Sequence, residues 1–98
     1  MKKYKILLQG NNFLLKLDGN KNIFGFYTTR YVEAENLKDA ENIAIELIRN
    51  DHELRQSVLN KKNDPPIIFV DEIDELENFK GVKTPGKGYS FFLENQKE

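Results

Sequence analysis

The sequence predicts an α+β domain: an antiparallel sheet of about five strands in the order β-β-β-α-β-β, with a kinked or two-part helix packed on one face. Two observations carry this. The first third of the chain is dense in β-branched and aromatic residues broken by Gly/Asn turns, and the apolar period then changes from two to that of a helix at Asn36. A third supports it: after a Pro-Pro loop, two further short apolar runs return to β composition.

YKILLQ (4–9) reads as a short strand, and Gly10-Asn11-Asn12 is turn chemistry that tolerates positive φ. FLLKLD (13–18) is then expected as its antiparallel neighbour. Gly19-Asn20-Lys21-Asn22 supplies a second turn into IFGFYTTRYVEA (23–34), the longest β-rich run. From Asn36, an N-cap residue, Leu37, Ala40, Ile43, Ala44, Leu47 and Ile48 recur at helical spacing. Asn50-Asp51-His52-Glu53 repeats the cap-and-acid pattern, so the helix is expected to break there and restart through Leu59. Lys61 to Pro66 is a loop, IIFVDEI (67–73) a strand, GVKTPGKG (81–88) a flexible connection and YSFFLE (89–94) the closing strand. The last four polar residues are expected to fray.

All 98 residues fit one domain, near the size at which a single core folds without staples. There is no cysteine, which excludes disulfides, thiol catalysis and Cys-based zinc sites. Four tyrosines and seven phenylalanines are available to anchor a core. A formal charge of −1 argues against general nucleic-acid binding, which calls for a basic excess. Neither a signal peptide nor a membrane-spanning run is evident, so cytoplasmic residence is the expectation.

IIFVDEIDEL (67–76) resembles the Walker B strand of AAA+ ATPases, in which consecutive acids hold Mg²⁺ and polarise water. Such a strand acts only beside a phosphate cradle, G-x-x-x-x-G-K-[ST]. No glycine upstream of Ile67 is followed by Lys and then Ser or Thr, and Gly86-Lys87 lies downstream with glycine after it. The expectation is therefore no enzyme activity and no cofactor. Asp71, Glu72, Asp74, Glu75 and Glu77 instead offer a solvated strand end or an acidic docking patch; they lack the alternating ligands and central glycine of a calcium loop. His52 is the single histidine and has no second histidine for a metal pair, so no metal or catalytic residue is assigned. Lys80, Lys83 and Lys87 punctuate a loop with no helix behind it to complete an anion site.

The third run carries the functional signal. Phe24, Phe26, Thr28, Arg30, Val32 and Ala34 alternate with Ile23, Gly25, Tyr27, Thr29, Tyr31 and Glu33, so both faces are bulky. Strand 89–94 does the same with Tyr89, Phe91 and Leu93 opposite Phe92. A half-exposed antiparallel strand normally alternates apolar with polar. One helical layer covers one face, so the other requires the C-terminal segment, another subunit or a ligand. The surface expected to bind comprises Tyr27, Arg30, Tyr31 and Tyr89 with Asp71, Glu72, Asp74 and Glu75. The function expected is a small protein-interaction module acting through a sheet face or edge, on an unidentified protein or on itself as a homodimer.

The opening strands followed by VEAENLKDAENIAIELI resemble the HicB-like antitoxin domains over residues 4–48, although the Pro-x-x-Pro-Gly phrase before that helix is absent. The resemblance implies an alternative, an antitoxin-like or nucleic-acid-linked regulator in which Tyr27, Arg30 and Tyr31 stack on unpaired bases. The overall layout also resembles small bacterial proteins of this size, which implies the fold and no activity.

Overall fold

The computed structural model describes residues 1–94. Strands β1 (Lys2–Leu17) and β2 (Asn20–Ala34) form a long hairpin, followed by helices α1 (Leu37–Arg49) and α2 (His52–Ser57), then β3 (Ile67–Leu76) and β4 (Ser90–Leu93). The sheet is antiparallel with order β3-β1-β2-β4. The expected fraying of 95–98 lies outside the described residues.

The α+β class, antiparallel sheet and two-part helix match the sequence reading, but the described strands number four rather than about five. Residues 4–9 and 13–17 belong to one strand, and Asp18 lies in the turn that follows it. Gly10-Asn11-Asn12 makes a bulge, not a turn, with the pairing to β2 slipping between Gly10 and Phe13 and Asn12 at φ 61°. The slip keeps one face apolar: Tyr4, Ile6 and Leu8 point inward before it, and Phe13 and Leu15 after it. The bulge is fixed from several sides. Asn12 N–H donates to Glu94 (2.9 Å), and Asn60 both accepts from Leu14 N–H (2.9 Å) and donates to the Asn12 carbonyl (2.9 Å). Asn11 also donates to Glu94. The hairpin turns one step earlier than expected, at Asp18-Gly19, where φ of 53° and 82° and the Leu17↔Asn20 pairing describe a two-residue turn of type I′ character.

Asn36 caps α1 by accepting from Asp39 N–H at 2.9 Å, and Asp51 rather than Asn50 caps α2, accepting from Glu53 and Leu54 N–H. The helix face against the sheet is centred on Ala40, Ala44 and Ile48; Leu47 is half-buried, and Leu37 and Ile43 remain exposed. Alanine at two of the three central positions lets the helix lie close to the strands. Its contacts fall chiefly on β2 and then β1. Phe26 is the hub of the core, with ring centroids 4.9 Å from Phe13, 4.9 Å from Tyr89 and 5.8 Å from Phe91. Both helices thus lie on the inner face.

Candidate functional site

Reading across the outer face at equal heights, the strand register aligns Asp74, Lys5 and Tyr31, then Glu72, Leu7 and Thr29, then Phe69, Gln9, Tyr27 and Ser90. Neither helix touches this side. Tyr27 is 41% exposed, Phe69 39% and Ile67 56%, while Leu7, Thr29 and Tyr31 are half-buried. Phe92 lies over Gly25, where any Cβ would collide with its ring, and its centroid is 5.6 Å from Tyr27. A glycine on the outer face therefore makes room for an aromatic from β4.

The segment between β3 and β4 borders this face. Phe79 meets the Tyr31 ring edge-on at 6.1 Å, with Lys3 Nζ 6.0 Å from its centroid, and the Tyr31 N–H donates to the Pro85 carbonyl at 2.8 Å. Gly86 passes so near Thr29 and Tyr31 that a Cβ there would be 3.1 Å from the Thr29 carbonyl oxygen, and its φ of 92° suits glycine alone. A shallow depression of about 560 Å³ results, with Leu7, Tyr27, Thr29 and Tyr31 on the sheet side and Lys87 and Ser90 on the other.

The eight sequence-derived surface residues separate here. Tyr27 and Tyr31 lie on the outer face, as do Glu72 and Asp74. Asp71 is the extra residue of a second bulge, between the Leu7↔Glu72 and Leu8↔Val70 pairs, and Glu75 lies opposite inward-facing Tyr4 at the sheet edge. Arg30 is not on the surface. It is 3% exposed on the inner face, where alternation from Phe26 and Val32 places it. Its guanidinium donates to Thr28 Oγ1, to the Thr29 carbonyl (2.9 Å) and to the Gly88 carbonyl (3.5 Å), and lies 5.2 Å from the Tyr89 ring centroid. Tyr89 is also directed inward and half-buried, its hydroxyl donating to Asp51 Oδ2 at 2.6 Å.

This inner cluster was not foreseen from the sequence. Burial, then the hydrogen bond to Asp51 and its charge, push the Tyr89 phenol well above its usual range. For Asp51, burial pushes the carboxyl up, but the Tyr89 hydroxyl, the Leu54 and Glu53 amides and the charge of Arg30 outweigh it and hold the group below its ordinary value. The cluster ties β2, the start of β4 and the cap of α2 together.

Among the described residues no group of three or more His, Cys, Asp or Glu side chains is placed to hold a metal ion. No described helix is long and apolar enough to cross a membrane. No family model matches the chain, and no curated protein or solved structure matches it significantly.

Proposed function

We propose that this chain is a small non-enzymatic protein-interaction module whose working surface is the outer face of the sheet. The observation that carries the reading is an apolar and aromatic patch of Tyr27, Phe69, Ile67 and Phe92 on a face with no helix over it. Tyrosine suits such a surface, because it adds contact area at small entropic cost and keeps a polar tip when the site is empty.

The face is favoured over the edge. The outer edge of β3 is interrupted by the bulge at Asp71 and flanked by Glu72, Asp74 and Glu75, and bulges and charges are the features that discourage strand addition. Two copies paired antiparallel through β3 would also bring these acids near one another. The opposite edge, β4, is four residues long.

The nucleic-acid-linked, antitoxin-like alternative is less well supported, since Arg30 is buried and the lysines Lys3 and Lys5 share the outer face with Glu33, Glu72 and Asp74. Phosphate would be repelled by the acids at one side of the patch.

The test is site-specific photo-crosslinking in cells, with benzoylphenylalanine at position 27 and, as control, at position 38 on the exposed side of α1. Discrete protein adducts from position 27 and none from position 38 are expected, weakened by Tyr31→Ser. Equal or absent adducts at both positions, with a protein that stays monomeric by light scattering, would refute the reading.

A further inference from the structure

The depression beside Lys87 does not end at β2. Leu7 and Thr29, paired across β1 and β2, line it and also line a second depression of about 140 Å³ that continues to Lys5, Glu72 and Asp74. Sharing Leu7 and Thr29 as their floor, the two form a trough across the strands, with a lysine at the β4 end and two acids at the β3 end. Among the residues lining the acidic end, Lys5 stands against Glu72 and Asp74, which leaves that lining with a net negative charge. Among the described residues the only ion pair within 4.0 Å joins Arg49 to Glu46, so neither Glu72 nor Asp74 is paired with a basic group among them. Lys87 is exposed and has no acidic partner within that distance among the described residues.

From this geometry we infer that the trough receives an extended peptide segment of a partner protein that carries an acidic side chain over Lys87 and a basic one over Glu72 and Asp74, with an apolar residue between them on Leu7 and Thr29. Charge complementarity selects this occupant. A uniformly acidic ligand meets Glu72 and Asp74, and a uniformly basic one meets Lys87. Three strands and the bordering loop span about 14 Å at the usual strand spacing, which is about four residues of extended chain. Acid and base four positions apart then share a side of the peptide, as does the residue midway. The proposal rests on the outer-face reading and specifies its partner.

The probes are blocked peptides of pattern DVLVK and the reversed KVLVD, since either chain direction meets the charge rule, against DVLVD and KVLVK. Each is titrated into isotope-labelled protein while the amide signals of Leu7, Thr29 and Lys87 are followed. One of the mixed-charge peptides is expected to shift these three signals saturably, with each same-charge peptide weaker by about fivefold, the effect of one exposed ion pair. Lys87→Glu makes both ends acidic and should transfer the preference to KVLVK; Asp74→Lys combined with Glu72→Lys should transfer it to DVLVD. All three sites are exposed, and a circular-dichroism melt verifies that the variants fold. Equal affinity for all four peptides, or variants that leave the order unchanged, would overturn the inference. So would absence of shifts while position 27 still gives crosslinked adducts, an outcome that leaves the outer-face reading standing; absence of both removes the two together.

Discussion

Replacing Tyr89 with Phe removes one hydroxyl and keeps the ring against Phe26 and Arg30. The hydroxyl donates at 2.6 Å to Asp51, whose other oxygen already accepts from the Glu53 and Leu54 amides at 3.0 and 3.3 Å. Hydrogen bonds to charged groups contribute about 1.5–3 kcal/mol. Asp51 is half-buried, and water can replace part of what is lost, so the cost expected at neutral pH is about 1–2 kcal/mol. For a domain of this size that lowers Tm by about 5–15 °C. The pH dependence is more diagnostic than the size. Near the ordinary Asp value of 3.8 the unfolded chain binds a proton that folded Asp51 refuses, so its contribution is present above that pH and is lost as pH falls through the depressed folded value. Above the ordinary Tyr value of 10.0 the unfolded chain releases the Tyr89 proton while the folded chain keeps it, so that contribution falls as pH rises further. Urea melts of parent and Tyr89→Phe should therefore differ most between about pH 5 and pH 9 and converge on both sides. A difference below about 0.5 kcal/mol within that range, or one that fails to shrink on either side of it, would refute the coupling of β4 to the α2 cap.

Ile48→Ala is expected to cost about 2–5 kcal/mol by leaving a cavity under α1, and Leu47→Ala less, because Leu47 is only half-buried; paired chemical melts would reverse the helix orientation if Leu47 cost more. Gly10→Ala should destabilise by about 1–3 kcal/mol, since its Cβ would strike the Phe26 and Phe13 rings, and a neutral result by the same melt would place those rings elsewhere. Tyr27→Ser with Tyr31→Ser should leave the far-ultraviolet spectrum and the cooperative melt in place while reducing crosslinking through the outer face; a double variant that unfolds would assign these tyrosines to the core. Glu72→Gln should leave the pure protein without ATP hydrolysis, as before substitution, and hydrolysis abolished by that change would restore the Walker B reading of 67–76.

What local chemistry determines was legible: the change of period at Asn36, the break before His52, and the inward set Phe26, Thr28, Arg30, Val32 and Ala34. The bulge was misjudged because a shift of the apolar phase from Tyr4, Ile6 and Leu8 to Phe13 and Leu15 has two physical causes, a turn or a single inserted residue, and Gly-Asn-Asn permits either. The length of its neighbour decides between them. A 15-residue β2 is paired along its length only if β1 is continuous, and Asp18-Gly19 is the stronger hairpin signal. Alternation had placed Arg30 inside, and treating it as a surface group went against that pattern. The Tyr89–Asp51 contact joins residues 38 apart, and nothing local announces it. The trough was equally hidden, because its lysine side exists only after residues 85–88 have closed on the edge of β2.

That closure links the two faces. Along β2, Thr28 and Arg30 point inward and Thr29 and Tyr31 outward, so one strand supplies both the buried cluster and the trough wall. The chain beyond β3 is held at two points, Pro85 by the Tyr31 N–H and Gly88 by the Thr28 hydroxyl and the Arg30 guanidinium. Lys87 lies between these anchors, in a stretch where Gly86 and Gly88 take φ of 92° and 102°. Such a loop would otherwise be free to move over the sheet. Burying a guanidinium is costly unless its hydrogens are bonded, and here part of that bonding goes to the carbonyl that fixes the loop. The position of a surface charge is thus set in part from within the core, because Arg30 and Thr28 hold the Gly88 carbonyl beside Lys87.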